Sequence, residues 1–131
     1  MPWRVEFDGE LDVIRCIYAG SIALDDFKGA TFEAIALARK HNAHRVLIDT
    51  AELDSAISTM EIYSLPEFYE TTRTDRHSKW AFVLPPAGQI REDAKFYVTV
   101  CKNRGWYIRA FDHRREAVAW LVRKNDVVNG A

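Results

Sequence analysis

The chain has 131 residues and a formal net charge of −1, and 48% of its residues are hydrophobic, 12% aromatic and 28% charged. We expect residues 1–131 to form one domain with a frayed tail at residues 125–131, because this length suits a single hydrophobic core. The balanced charge argues against a field that attracts nucleic acid or anionic membrane.

The sequence predicts a cytoplasmic protein. It contains no apolar run long enough to span a bilayer, and no apolar segment near the N-terminus precedes a cleavage site. Cys16 and Cys101 are far apart and in no metal-binding or redox spacing. We interpret both as reduced core residues, as is usual in a reducing compartment.

The N-terminal third predicts a hairpin followed by a helix. Apolar and charged residues alternate over residues 3–7, which is typical of a strand with one wet face. Asp8 and Gly9 form a hairpin turn signal, so a second strand over residues 11–18 should pair antiparallel with the first. Apolar residues then recur at helical spacing from Asp25 to about residue 40, and acidic residues favour the N-terminal end of a helix.

The stretch from His44 to Leu65 predicts the candidate site. Its apolar run at residues 46–48 is typical of a strand at the centre of a sheet. We interpret residues 50–57 as a polar loop and residues 58–61 as a capping box that opens a helix. Open α/β sheets usually place their sites where a strand runs through a loop into a helix N-terminus.

The C-terminal half predicts alternating strands and helices. Pro66 should kink or break the second helix. We expect the segment around it to be either a mobile hinge or a static kink. Strands are predicted over residues 79–84 and 107–111, with a helix starting at Glu92 between them and a last helix capped by Asp112. The element order β-β-α-β-α-β-α-β-α implies parallel pairing after the hairpin.

This order and several diffuse motifs resemble the STAS domain, the fold of the anti-sigma-factor antagonists. The motifs are the acidic helix start at residues 25–27, the central strand at residues 45–49, and the closing residues 111–112 and 116–121. More narrowly, the chain resembles the SpoIIAA-like family of small STAS/SEC14-type proteins. The resemblance implies an α/β fold with a five-stranded, mostly parallel sheet, an N-terminal antiparallel hairpin and helices mainly on one face.

The resemblance also implies where a partner would bind. The antagonists carry an Asp-Ser-Ser-Gly motif at the start of the helix after the central strand, and its second Ser accepts phosphate. Ungapped counting places Ser58 at the acceptor and Thr59 at the Gly, whereas matching Asp54 and Ser55 to the first two positions places Ala56 at the acceptor. The motif is incomplete in both alignments, so Ser58 is interpreted as a helix N-cap or as a phosphoacceptor.

The remaining histidines, acidic residues and basic residues predict neither a catalytic site nor a metal site. The spacing of His41, His44 and Asp49 matches no usual metal site, and we predict neither a metal nor a cofactor. No nucleophile, acid or base has a recognisable partner in the local sequence, so we predict no enzymatic activity. We interpret the basic residues around His77 and Lys79 as a solvated face rather than a nucleic-acid surface.

Two functions from different classes follow. The first is a regulatory protein-interaction domain that contacts a protein partner through residues 50–62. The alternative, by analogy with SEC14-type proteins, is a carrier or sensor of a small apolar ligand. Its pocket would lie near the kinked helix, at Tyr63, Leu65, Pro66 and Phe68.

The sequence also predicts a homodimer. Alternation along the strands gives each face of the sheet large apolar groups, and parallel sheets rarely leave such a face bare. If the helices cover one face, a second subunit is expected to cover the other. That second face carries Val13, Ile17, Leu47, Val83, Tyr107 and Phe111.

Overall fold

The computed structural model describes residues 2–55, 65, 67–70 and 77–123. The strands are β1 (Trp3–Asp8), β2 (Val13–Ser21), β3 (Arg45–Ser55), β4 (Lys79–Val83) and β5 (Ile108–Phe111). The helices are α1 (Leu24–His41), α2 (Gly88–Asn103) and α3 (Arg114–Leu121), and Leu65 and residues 67–70 are also helical.

The five strands lie in sequential order in one sheet. β1 and β2 pair antiparallel, and β2 to β5 pair parallel. The predicted α/β fold with an N-terminal hairpin is therefore confirmed. The hairpin turns as expected at Asp8, whose carboxylate accepts hydrogen bonds from the backbone N–H groups of Glu10 and Leu11 at 3.0 and 3.2 Å.

The central strand is longer than the sequence predicted. Residues 50–55 continue β3 and pair with the end of β2, although pairing with β4 stops at Asp49 and Val83. The prediction of a loop over these residues was wrong. Leu53 is buried between exposed Glu52 and Asp54, which is the alternation of a half-buried strand. Because most residues of this segment are polar, the alternation was not recognised in the sequence.

The two faces of the sheet carry separate apolar cores. α1, α2, Leu65 and the helical residues 67–70 cover the larger core. α3 covers the smaller core on the opposite face, which contains Val13, Leu47, Ala81, Val83, Ala117, Trp120 and Leu121. The protein's own last helix thus covers the face that we assigned to a second subunit. The homodimer stays a prediction, but a bare sheet face no longer supports it.

Lys79 attaches α3 to the sheet. Its side chain is only 2% exposed, so our interpretation of this lysine as part of a solvated face was wrong. The ammonium donates to the Trp120 carbonyl at 2.6 Å and lies 4.5 Å from the centre of the Trp120 ring. The last carbonyls of a helix have no partner within the helix, and the helix dipole makes this end negative. A lysine buried here therefore satisfies the C-terminus of α3.

Candidate functional site

An ion pair between a buried carboxylate and an exposed arginine marks the carboxyl end of the sheet, where we predicted the site. The Asp49 side chain is 2% exposed and the Arg114 side chain is 53% exposed. Arg114 Nε donates to Asp49 Oδ2 at 2.5 Å, and the backbone N–H of Ala51 donates to Oδ1 at 3.1 Å. The hydrogen bond and charge of Asp49 raise the pKa of Arg114. A buried carboxylate requires such partners, so this pair holds the start of α3 against β3.

A second ion pair lies at the same end of the sheet. Arg91 donates to the Asp112 carboxylate at 2.6 Å and to the Pro85 carbonyl at 3.0 Å. The hydrogen bond from Arg91 lowers the pKa of Asp112. Our prediction that Asp112 caps the last helix was wrong, because the N-cap is His113 and it makes no side-chain cap hydrogen bond. Asp112 instead links β5 to α2.

An apolar cavity of about 170 Å³ lies between α1 and the sheet. The strands contribute Cys16, Tyr18, Ile48 and Trp80 to its wall, and α1 contributes Phe27, Ala34 and Ala38. Tyr69, from the helical residues 67–70, also lines it. Arg39, Asn42 and His44 line the same cavity and are exposed, so this end of the cavity reaches the surface.

The buried titratable groups in the wall, Cys16, Tyr18 and Tyr69, are uncharged at neutral pH. Burial raises the pKa of the Cys16 thiol to about 12 and raises the pKa of Tyr18 and of Tyr69 well above its usual range. A protonated thiol is a poor nucleophile, because the thiolate is the reactive form. The interior of the cavity thus presents apolar carbon, aromatic faces and neutral hydroxyl and thiol groups.

An aromatic cluster rigidifies one side of the cavity. Trp80 stacks on Trp106 with ring centres 5.0 Å apart, and Tyr69 meets Trp80 edge to face at 5.2 Å. The hydroxyls of Tyr69 and Tyr97 share a hydrogen bond of 2.7 Å. Aromatic pairs in such offset and edge-to-face arrangements add stability beyond their buried area. The wall is therefore preformed rather than collapsible.

Comparison with known proteins identifies the fold. No protein-family model and no curated protein matches the chain. Among solved structures, an uncharacterized protein from the DUF3478 family with a SpoIIAA-like fold, from Shewanella loihica PV-4, is similar with a TM-score of 0.57 and 18% sequence identity. The match covers 91% of each chain. This chain has the SpoIIAA-like fold.

The SpoIIAA-like fold puts the predicted partner-binding residues at the end of its central strand. Asp54 is exposed in β3, and Ser55 is the last residue of that strand. Ser58 and Thr59 lie outside the described residues, as does the predicted capping box. Partner binding and phosphorylation at these positions stay predictions.

Of the four predicted pocket residues, two are among the described residues and two are not. Tyr63 and Pro66 lie outside the described residues, as does most of the predicted hinge. Leu65 is fully buried, and Phe68 packs partly buried against the same core. The Phe68 ring meets Phe32 edge to face at 5.5 Å. The described pair thus contributes to packing, and neither Leu65 nor Phe68 is among the residues that line the cavity.

Sequence reasoning missed the cavity because its walls are ordinary core residues. Tyr18 and Trp80 differ from other core residues only because they border the space between α1 and the strands. Two signals were present. Small residues recur at helical spacing, at Ala34 and Ala38, and a basic run follows them at residues 39–45. Together they indicate a helix whose small side chains leave space against the sheet, next to a cationic C-terminal end.

The described ranges contain neither a metal-binding cluster nor a membrane-spanning helix. Across residues 2–55, 65, 67–70 and 77–123, no group of three His, Cys, Asp or Glu residues is arranged to hold a metal ion. His41, one of the ligands that we weighed, stacks on Phe7 with ring centres 3.9 Å apart. No helix in these ranges is long and apolar enough to cross a membrane.

Proposed function

We propose that this chain is a non-enzymatic, cytoplasmic binding domain that holds a small apolar ligand in the cavity between α1 and the sheet. The observation that carries the proposal is the preformed cavity of about 170 Å³ with an apolar wall. An engineered apolar cavity of about 150 Å³ stays dry and binds benzene. A cavity of this size therefore suits a ligand with one ring or a short alkyl chain.

The surrounding chemistry supports binding rather than catalysis. Cys16 lines the cavity, and its raised pKa keeps the thiol protonated. Asp49, the buried carboxylate, is already held by Arg114 and the backbone of Ala51. Neither group is poised to attack or to transfer a proton. Both cysteines are free and buried, which agrees with a reducing compartment.

Filling the cavity should weaken ligand binding. Ala34 lines the cavity from α1, and Ala34→Leu would place extra carbon atoms in the space. If the leucine side chain displaces about two carbon atoms of bound toluene, the binding free energy weakens by roughly 1.6 kcal/mol. This raises Kd about tenfold. Toluene binding to the wild type and to the variant is measured by ligand-observed NMR titration.

The matched control is Ala36→Leu, because Ala36 lies on the same helix but is exposed. This variant should bind toluene as the wild type does. Thermal melts of both variants exclude loss of the fold as the cause. Toluene binding that is absent from the wild type, or equal in the wild type and in Ala34→Leu, would contradict the proposal.

A second candidate function is a protein-interaction domain that uses residues 50–62. The observation that favours it is the extension of β3 beyond its last pair with β4, at Asp49 and Val83. This extension carries the exposed acidic residues Glu52 and Asp54. A projecting acidic strand end is a suitable contact for a partner with a basic surface.

A site-specific photocrosslinker separates this candidate from the first. When the crosslinking residue replaces Asp54 and the protein is expressed in its native cells, irradiation should give one adduct of defined mass. Changing Glu52 to Lys should remove this adduct. The control position is Glu33, which is exposed on α1. Equal adducts from positions 33 and 54, or none from position 54, would refute a partner at this strand end.

A further inference from the structure

The open end of the cavity is basic. The exposed cation Lys40 lies next to Arg39 at the end of α1, and none of the described residues that line the cavity is acidic. Arg39 and His44 line the cavity and are exposed, whereas Tyr18, Phe27 and Trp80 are buried in its wall. The cavity thus has an aromatic interior and a cationic rim.

We propose that the ligand is a small aromatic carboxylate, whose ring lies among the buried aromatic side chains and whose carboxylate meets the Arg39 guanidinium at the rim. The proposal rests on the ligand-binding function above and specifies its ligand class. A guanidinium offers five N–H donors in a planar fork that matches a carboxylate, so Arg39 retains donors for a ligand while it bonds to other groups.

The charges around the rim favour an anion over a cation. The C-terminal end of α1 lies here, and its dipole alone would favour a cation. However, two carbonyls of the last turn of α1 already accept from the backbone, since Asn42 N–H donates to the carbonyls of Ala38 and Arg39, and Ala43 N–H donates to Ala38 at 2.9 Å. The side chains of Arg39 and Lys40 add positive charge at this end of the helix. An ammonium ligand would meet repulsion at the same rim.

The wall favours a ring as the apolar part of the ligand. Tyr18 and Phe27 stack with centres 5.5 Å apart, and Tyr69 and Trp80 meet edge to face. A bound ring would add offset or edge-to-face contacts with these groups, which aromatic pairs prefer. A cavity of about 170 Å³ admits one ring and leaves the carboxylate at the opening.

Three probes with one ring and different head groups test the proposal: phenylacetate, 2-phenylethanol and phenethylamine. Calorimetric titration should give an affinity for phenylacetate about three- to fivefold higher than for the alcohol, and about tenfold higher than for the amine, because the head group stays near water. Added salt should weaken phenylacetate binding and leave the binding of the alcohol unchanged.

Variants at the rim identify the cation. Arg39→Gln should lower phenylacetate affinity about three- to fivefold without changing the affinity for the alcohol, and Arg39→Lys should restore part of the loss. Lys40→Gln is the matched control, since Lys40 is the adjacent exposed cation and does not line the cavity. It should lower phenylacetate affinity less than Arg39→Gln does.

The outcomes distinguish this inference from the function on which it rests. Equal binding of all three probes, abolished by Ala34→Leu, would overturn the carboxylate and leave the apolar site intact. Preference for the amine, or equal effects of Arg39→Gln and Lys40→Gln, would also overturn it. No binding of any probe, together with no binding of toluene, would overturn both.

Discussion

Raising the pH from about 9 to about 11 is expected to remove most of the folding stability, on the order of 5–10 kcal/mol. Five buried acids cause the loss: the thiols of Cys16 and Cys101 and the phenols of Tyr18, Tyr69 and Tyr97. Burial raises the pKa of each thiol from 9.0 to about 12 and raises the pKa of each phenol well above 10.0. The unfolded chain releases these protons at lower pH than the folded chain does.

The sign follows from this order of pKa values. Each group contributes its full stability below its unfolded pKa, and the contribution falls as the pH rises toward the folded pKa. By about pH 11 the contribution of each thiol has fallen by roughly 2–3 kcal/mol, and the phenols add to the loss in the same direction. Typical domains are stable by only about 5–15 kcal/mol. Far-UV circular dichroism should therefore report cooperative unfolding in this range.

The double variant Cys16→Ala and Cys101→Ala is the control. It removes the two groups that begin to titrate first, so its alkaline unfolding should start nearer to about pH 10 than to about pH 9. Absorbance at about 295 nm follows phenol ionisation. Ionisation of the buried tyrosines before loss of the circular dichroism signal would contradict burial as the cause. So would a wild type that stays folded at about pH 11.5.

The directions of the strands were predictable because they depend on local patterns. Alternation in residues 3–7, the turn at Asp8 and the apolar run at residues 46–48 each lie within a few positions of the chain. Parallel pairing then follows from the intervening helices. The end of α1 is also local, since Asn42 terminates the helix in the left-handed conformation, at φ 51°, which asparagine tolerates.

The buried charged residues were not predictable, because their partners are distant in sequence. Lys79 donates to the carbonyl of Trp120, 41 residues later, and Asp49 pairs with Arg114, 65 residues later. In the sequence, Lys79 belongs to a basic segment that is typical of solvent-exposed loops. Only the packing of α3 on the second face of the sheet makes its burial favourable.

The cavity was not predicted from the sequence for the same reason. The capping box and the acidic loop are local signals, and they directed attention to residues 50–62. The cavity arises from the distance between α1 and the strands, which no single segment encodes. Tyr18, Phe27 and Trp80 were read as core residues, and they are core residues that also line a space.

Trp120→Ala is expected to destabilise the protein by about 3–5 kcal/mol, the usual cost of truncating a buried aromatic side chain. Trp120 is 5% exposed and meets Tyr107 and Phe111 with ring centres 5.3 and 5.6 Å away. It also lies beneath the Lys79 ammonium. The variant thus loses packing and the cation–π contact together. Thermal unfolding should shift down by roughly 10 °C.

The same variant tests what α3 does for the sheet. Weaker docking of this eight-residue helix should expose Val13, Leu47 and Val83, which it covers. Large exposed apolar faces promote association, so light scattering should show concentration-dependent self-association beyond that of the wild type. Phe32→Ala is the control, because Phe32 is 57% exposed and its truncation should cost less than about 1 kcal/mol. A Trp120→Ala protein with wild-type stability and mass would show that α3 is dispensable for covering this face.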